Sequence, residues 1–193
     1  MKVSVLLLFF VLSAAAQETD PITVILENCR MQTTLTRYYD PSYVALQYPM
    51  GDLDISRGVC TDVVVRALRS VGVDLQELIH EDMSANFSEY PDNWGLVRPD
   101  PNIDHRRVPN ITTYLRRMGK ELTISHSGDN YLPGDIVTWK LPGNLDHIGI
   151  VSDTKVEGQQ RCKIYHNIGN GTQLEDILFR YRITGHFRYF SVD

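Results

Sequence analysis

Three residues far apart in the chain carry the side chains that thiol-dependent hydrolysis needs. Cys60 supplies a thiol, and His147 and His166 supply imidazoles. Such hydrolysis requires a thiolate, an imidazole within hydrogen-bond reach of it and a third group that fixes the imidazole tautomer. Each residue alone has a simpler interpretation, because cysteine is among the most buried residue types and a strand histidine is often held by backbone hydrogen bonds.

Cys60 opens a segment whose pattern predicts a helix. Between Cys60 and Gly72 the apolar residues recur with a 3.6-residue period on the same side as the cysteine, whereas Asp62, Arg66 and Arg69 point away. A thiol in a first helical turn lies at the positive end of the helix dipole, beside amide groups without intrahelical partners. Both effects favour the thiolate. The sequence therefore predicts a nucleophile at residue 60.

The remaining elements divide into helices first and strands last. Helices are predicted after Asp20-Pro21, after Asp74 and over residues 111–118. The last third changes to strand patterns, at residues 135–140, 147–152, 163–168 and 185–191, and a turn over residues 141–146 pairs the first two as a hairpin. The predicted class is α+β, with N-terminal helices packed on a C-terminal antiparallel sheet.

Residues 84–110 form a long connection that contains Trp94 and four prolines. Connections of this length usually act as lids or binding walls, or else are mobile. Within it, residues 104–107 (Asp-His-Arg-Arg) could hold an anionic group, although such a cluster also suits a solvated loop face.

The N-terminus has the pattern of a secretory signal peptide over residues 1–16. Lys2 provides a positive start, residues 3–12 are apolar apart from Ser4, and Ala14 and Ala16 fit a cleavage site before Gln17. The apolar run is shorter than the roughly 20 residues that a membrane helix needs, and an uncleaved anchor is the alternative. We expect a periplasmic or secreted protein with one domain over residues 17–193.

Composition limits the partners. The 193 residues include 19 basic and 24 acidic side chains, a formal charge of −5, with both signs interspersed. No basic stripe is available for nucleic acid and no polybasic patch for a membrane surface. We expect no nucleic-acid partner and no stable membrane insertion after signal cleavage, and the oligomeric state stays open.

Three cysteines in an exported chain leave at least one unpaired. Cys29 and Cys162 are the candidates for a disulfide, which would leave Cys60 free. The equally weighted alternative is that all three are unpaired core residues.

Several segments together carry a family resemblance: RGVCTD (57–62), HEDM (80–83), NIDHRRVPN (102–110), PGDIVTW (133–139), LPGNLDHIGIV (141–151) and HNIG (166–169). They resemble an exported bacterial family of unknown function typified by YijF. That family is similar, more distantly, to the papain-like NlpC-type cell-wall peptidases, in which a helix-N-terminal cysteine precedes a Gly-Asp strand and a strand that opens with His-Ile-Gly.

The resemblance implies a papain-like NlpC-type fold and a cysteine peptidase or amidase that needs no cofactor. It implies Cys60 as nucleophile, His147 as general base and His166 as the residue that orients His147. Peptidoglycan stem peptides or related peptide amides are the expected substrates. The expected substrate-binding residues are Arg57, Trp94, Asp104, Arg106, Arg107 and Asn167. The chain departs from the NlpC-type pattern in its long 84–110 insertion and in the residues before the cysteine.

Two other functions are compatible with the sequence. The first is a non-catalytic periplasmic binding protein on the same scaffold, with Tyr90 and Trp94 as wall residues. The second is a zinc-dependent hydrolase, although neither His-Glu-x-x-His nor Cys-x-x-Cys occurs. Its candidate ligands are His80, Glu81, Asp82, Asp104, His105, Asp146, His147 and His166.

Overall fold

The computed structural model describes residues 19–191, which have a mixed α+β architecture with an antiparallel sheet. The predicted signal peptide lies outside these residues. The helices are α1 (Pro21–Leu35), α2 (Cys60–Arg69), α3 (Leu75–Asn86) and α4 (Val108–Arg117). The strands are β1 (Tyr38–Tyr39), β2 (Arg57–Gly58), β3 (Glu121–Leu122), β4 (Ile136–Leu141), β5 (Leu145–Lys155), β6 (Cys162–His166), β7 (Gln173–Glu175) and β8 (Arg182–Phe187).

Local signals in the sequence set the helix boundaries. Asp20 caps α1, its carboxylate accepting the backbone N–H groups of Ile22 and Thr23 at 3.2 and 3.1 Å. Gly72 follows α2 with a φ of 80°, a left-handed conformation that glycine adopts without a steric penalty. α4 begins at Val108, earlier than predicted, because Pro109 suits a first helical turn.

Six strands form the main sheet in the order β3-β8-β4-β5-β6-β7, and every neighbouring pair is antiparallel. The predicted hairpin is confirmed: β4 and β5 pair along their length, with Trp139 opposite His147. The ladder between β5 and β6 begins only at Ile150, opposite Tyr165. The start of β5 is therefore paired on one side only.

The sheet is buried on both faces. The helices cover one face, where Ile148 and Ile150 of β5 join a core that includes Cys60. The other face carries a second core around Trp139 and Val151, covered by connecting segments that contribute Tyr131 and Leu178. Because successive strand residues point to opposite faces, adjacent residues of β5 belong to different cores.

The charged side of α2, predicted to point away from the apolar face that carries Cys60, is largely buried as well. Asp62 is 3% exposed and Arg66 is 5% exposed. The segment between α1 and α2 covers them: Asp52 accepts two hydrogen bonds from the Arg66 guanidinium, at 2.8 and 2.9 Å. Because these buried charges are paired and hydrogen-bonded, the free-energy cost of burying them is reduced.

All three cysteines are free and buried. The proposed Cys29–Cys162 disulfide is absent, because Cys29 lies in the helical core and Cys162 lies in the core on the opposite face of the sheet. The alternative of three unpaired core cysteines is the one that the structure adopts.

Candidate functional site

Cys60 is the first residue of α2 and lines a cleft of about 220 Å³. The cleft lies between the start of β5, the segment that precedes α2 and the segment that follows α3. Its walls include Tyr39, Trp94, Arg107 and Asp146. The thiol thus reaches a recess that also holds an aromatic ring, a guanidinium and a carboxylate.

Opposing effects act on the thiol. Burial raises the pKa of Cys60 to about 12, and the charge of Asp62 adds to that rise. The nearby main-chain N–H groups of Ile148, Thr61 and Cys60 itself favour the thiolate and lower the pKa. Burial has the larger effect, so the neutral thiol is favoured at pH 7, contrary to the expectation of a thiolate.

The turn before the nucleophile candidate is held from two sides. Asn167 donates from Nδ2 to the carbonyl oxygen of Gly58 at 2.9 Å, and Asp62 accepts the backbone N–H of Val59 at 2.7 Å. Little room is left for a side chain at Gly58, because an added Cβ would lie 3.0 Å from a carboxylate oxygen of Asp62. Asn167, predicted to bind substrate, is fully buried and positions this turn instead.

His147 and His166 form a buried pair, as the family resemblance implies. Nε2 of His147 lies 3.2 Å from Nδ1 of His166, and Nε2 of His166 lies 3.1 Å from a carboxylate oxygen of Glu175 without hydrogen-bond alignment. Burial lowers the pKa of His147 to about 3, assisted by His166. Burial also lowers the pKa of His166, while Glu175 opposes that shift. Both rings are therefore neutral at pH 7.

The structure does not bring the pair to the thiol. His147 faces Trp139, at 5.9 Å between ring centroids, in the core on the side of the sheet away from the helices. Cys60 contacts β5 through the backbone of the next residue, Ile148, on the helical side. The cleft wall from β5 is formed by Asp146, whose carboxylate pairs with Lys140 at 2.9 Å.

Trp94 and Arg107, both predicted to bind substrate, lie together at the cleft. The Arg107 guanidinium stacks on the Trp94 ring, 4.0 Å from its centroid, and both residues line the cleft. Arg57 lies at the surface, where it pairs with Asp40 at 3.2 Å.

Arg106 and Asp104, which are also predicted substrate-binding residues, have structural roles. Arg106 forms a two-pronged ion pair with Asp62, at 3.0 and 3.1 Å, with both side chains almost fully buried. Asp104 is 1% exposed and accepts hydrogen bonds from Arg107 and the Asp100 backbone. Neither residue has the freedom to bind a substrate anion.

The candidate zinc ligands are dispersed. Within residues 19–191, no three His, Cys, Asp or Glu side chains gather closely enough to hold a metal ion. Tyr90 and Trp94, the expected wall residues of the binding-protein alternative, line one cavity together.

This chain is similar to known proteins over most of its length. Residues 26–189 match the model of a family described as a domain of unknown function, DUF1287. The chain belongs to the DUF1287 family. It is also 54% identical over 166 residues to the uncharacterized protein YijF of Escherichia coli (strain K12), a match that covers 86% of this chain and 80% of that protein.

Two features of the site in this DUF1287 domain are not predicted from the sequence. Asp146, in the sequence only a possible metal ligand, lines the cleft with Cys60, on the opposite face of β5 from its neighbour His147. The N–H of Ile148 near the thiol has no sequence signal, because every non-proline residue carries an N–H. Among residues 19–191, no helix has the length and apolar character needed to cross a bilayer.

Proposed function

We propose that this DUF1287 protein is an exported cysteine hydrolase that cleaves peptide amide bonds in the bacterial envelope, with Cys60 as nucleophile. The observation that supports the proposal is the position of the thiol: it opens α2, faces a cleft and lies near the backbone N–H groups of Cys60, Thr61 and Ile148. Donors in this arrangement stabilise negative charge on the sulfur or on an oxyanion beside it.

The proposed reaction follows from these donors. Once Sγ of Cys60 has lost its proton, it attacks the carbonyl carbon of the scissile amide and forms a tetrahedral oxyanion. The backbone N–H groups at the start of α2 stabilise that charge. Collapse of the intermediate expels the amine, which takes up a proton, and water then hydrolyses the thioester to a carboxylate and regenerates the thiol.

The proton acceptor in this proposal is one of two neighbouring residues of β5. His147 was predicted from the family resemblance, but burial lowers its pKa to about 3, so this imidazole is a weaker base than an ordinary histidine. Asp146 shares the cleft with Cys60, whereas the His147 ring lies on the other face of the strand. A general base must come within hydrogen-bond reach of the proton that it takes, so the geometry favours Asp146.

Peptidoglycan fragments and a peptide library provide the test of hydrolysis. The purified native protein is incubated with each, beside a Cys60→Ser variant, and the products are identified by mass spectrometry. The proposal expects paired products whose summed mass exceeds the substrate by one water, formed only by the native protein. Absence of such products from both substrate sets would overturn the hydrolase assignment.

A second candidate function has one specific observation in its favour. A thiol with a pKa near 12 and no imidazole contact is what a non-catalytic binding protein on this scaffold would contain. On this alternative, the cleft and the neighbouring Tyr90 cavity bind a peptide without cleaving it. Equal affinity of the native and Cys60→Ser proteins for a peptide that neither cleaves would support binding alone.

A further inference from the structure

A second recess lies directly beside the thiol cleft. This Tyr90 cavity has a volume of about 250 Å³ and includes Met83, Phe87, Tyr90, Leu96 and Asn110 in its lining. Trp94 and Arg107 line both spaces, so their stacked side chains form a shared wall between them. A group bound in the Tyr90 cavity would lie next to a peptide in the cleft.

The lining is mainly apolar, and its polar members are Ser88, Asp92, Arg107 and the buried Asn110. Asn110 is 1% exposed, and its Oδ1 is buried without a hydrogen-bond partner. Its amide orientation is fixed, because Nδ2 donates to the carbonyl oxygen of Asp104 at 3.2 Å. A buried acceptor without a partner is costly, and a ligand that donates one hydrogen bond to it would remove that cost.

The volume of the cavity and the charges of its lining limit which ligands can bind. Cavities for whole drug-sized molecules usually exceed about 300 Å³, so this cavity suits one side-chain-sized group. Arg107 presents no unpaired charge, because Asp104 accepts a hydrogen bond from it at 3.2 Å. Asp92 lies at the exposed rim, where water solvates it. The interior therefore favours a neutral group.

We propose that the Tyr90 cavity is a binding site for an aromatic or similarly apolar group that carries a single neutral hydrogen-bond donor, which bonds to Oδ1 of Asn110. This role rests on the proposed function: if Cys60 cleaves peptides, the Tyr90 cavity beside it is a specificity subsite. It would select peptides with such a side chain next to the scissile amide.

Indole and benzofuran are suitable probes, because they have nearly the same shape and only indole has an N–H. Binding of each is followed by chemical-shift titration of the native protein and of a Cys60→Ala variant, so no turnover is needed. We expect indole to bind about fivefold more tightly than benzofuran, the contribution of one hydrogen bond. The preference should disappear in Asn110→Leu.

A rim variant protects the test against misfolding of Asn110→Leu. Ser88 is exposed at the cavity mouth, so Ser88→Trp should abolish indole binding, whereas Ser84→Trp, exposed on α3 and outside the lining, should not. Equal binding of the two probes, no saturable binding, or binding unaffected by Ser88→Trp would each overturn the subsite. Because the probes bind without cleavage, these outcomes are independent of whether Cys60 is catalytic.

Discussion

His147 and His166 meet edge to face, with their rings at 89° and Nε2 3.2 Å from Nδ1, inside the core that the helices do not cover. Two neutral imidazoles can share one hydrogen bond, one ring donating and the other accepting. Two imidazolium rings cannot, since both nitrogens of each would be donors. The pair therefore contributes to folding only while it stays largely unprotonated.

Acidification should destabilise the protein between pH 6.5 and 3. The folded-state pKa of His147 lies near 3, below its unfolded value, so the unfolded chain binds a proton that the folded chain does not over this window. Each such group costs about 1.4 kcal/mol of unfolding free energy per pH unit, and buried His105, also near 3, adds to the loss. Urea denaturation at pH 7, 6, 5 and 4 measures the slope.

His147→Gln should show a shallower slope than the native protein, whereas His126→Gln, at an exposed position, should not. An unchanged slope in His147→Gln would contradict the neutral buried pair.

Alkylation of Cys60 should be slow at neutral pH. Because the thiolate is the reactive form and burial holds the thiol pKa near 12, the iodoacetamide rate should rise through pH 7 to 10 without a plateau. Cys29 has a similar pKa but faces no cleft, so it should react more slowly still. Peptide mass mapping after timed labelling separates the three sites. A rate plateau near pH 7 would show an activated thiolate, as the sequence alone predicted.

Turnover should depend more strongly on Asp146 than on His147, because Asp146 lines the cleft that Cys60 faces. Cys60→Ser should remove activity, Asp146→Asn should lower kcat by about 10²-fold or more, and His147→Gln should lower it by less than about tenfold with an unchanged pH profile. The comparison is made among variants with native-like melting temperatures. Complete loss of activity in a folded His147→Gln protein would instead identify that imidazole as the base.

The Asp62–Arg106 pair should be far more important for stability than the exposed Asp40–Arg57 pair. Arg106→Met leaves a buried carboxylate without its partner and should cost about 3–5 kcal/mol. Arg57→Met removes an exposed guanidinium and should cost less than about 1 kcal/mol. Chemical denaturation of the two variants gives the comparison. Equal losses would show that burial does not distinguish the pairs.

Local features of the fold could be predicted because they depend on nearby residues. Asp20 as a cap, Gly72 after α2 and the hairpin before His147 all follow from short-range rules, and the structure has each of them. The pairing of His147 with His166 was implied by the family resemblance rather than by a local rule.

The relation of Cys60 to His147 could not be predicted, because β5 is buried on both faces. A strand that is apolar on both sides gives no sequence signal for the face that its helices cover. A shift of one residue exchanges Asp146 or Ile148 for His147 at the thiol. The buried positions of Asp62 and Arg66 were missed for a related reason: the segment that covers them joins α2 only through tertiary contacts.

Arg106 also bears on how the chain acquires its shape. Its guanidinium donates to Asp62, 44 residues earlier, and to the carbonyl oxygens of Ser42 and Asp40, 64 and 66 residues earlier. During synthesis, the first turn of α2 emerges well before the residue that fixes it. In a chain that has not yet folded, the Cys60 thiol is exposed to water and has the ordinary acidity of a free cysteine. A chain that pauses at that stage is therefore open to oxidation and mispairing at Cys60, and the completed fold removes that hazard by enclosing the sulfur.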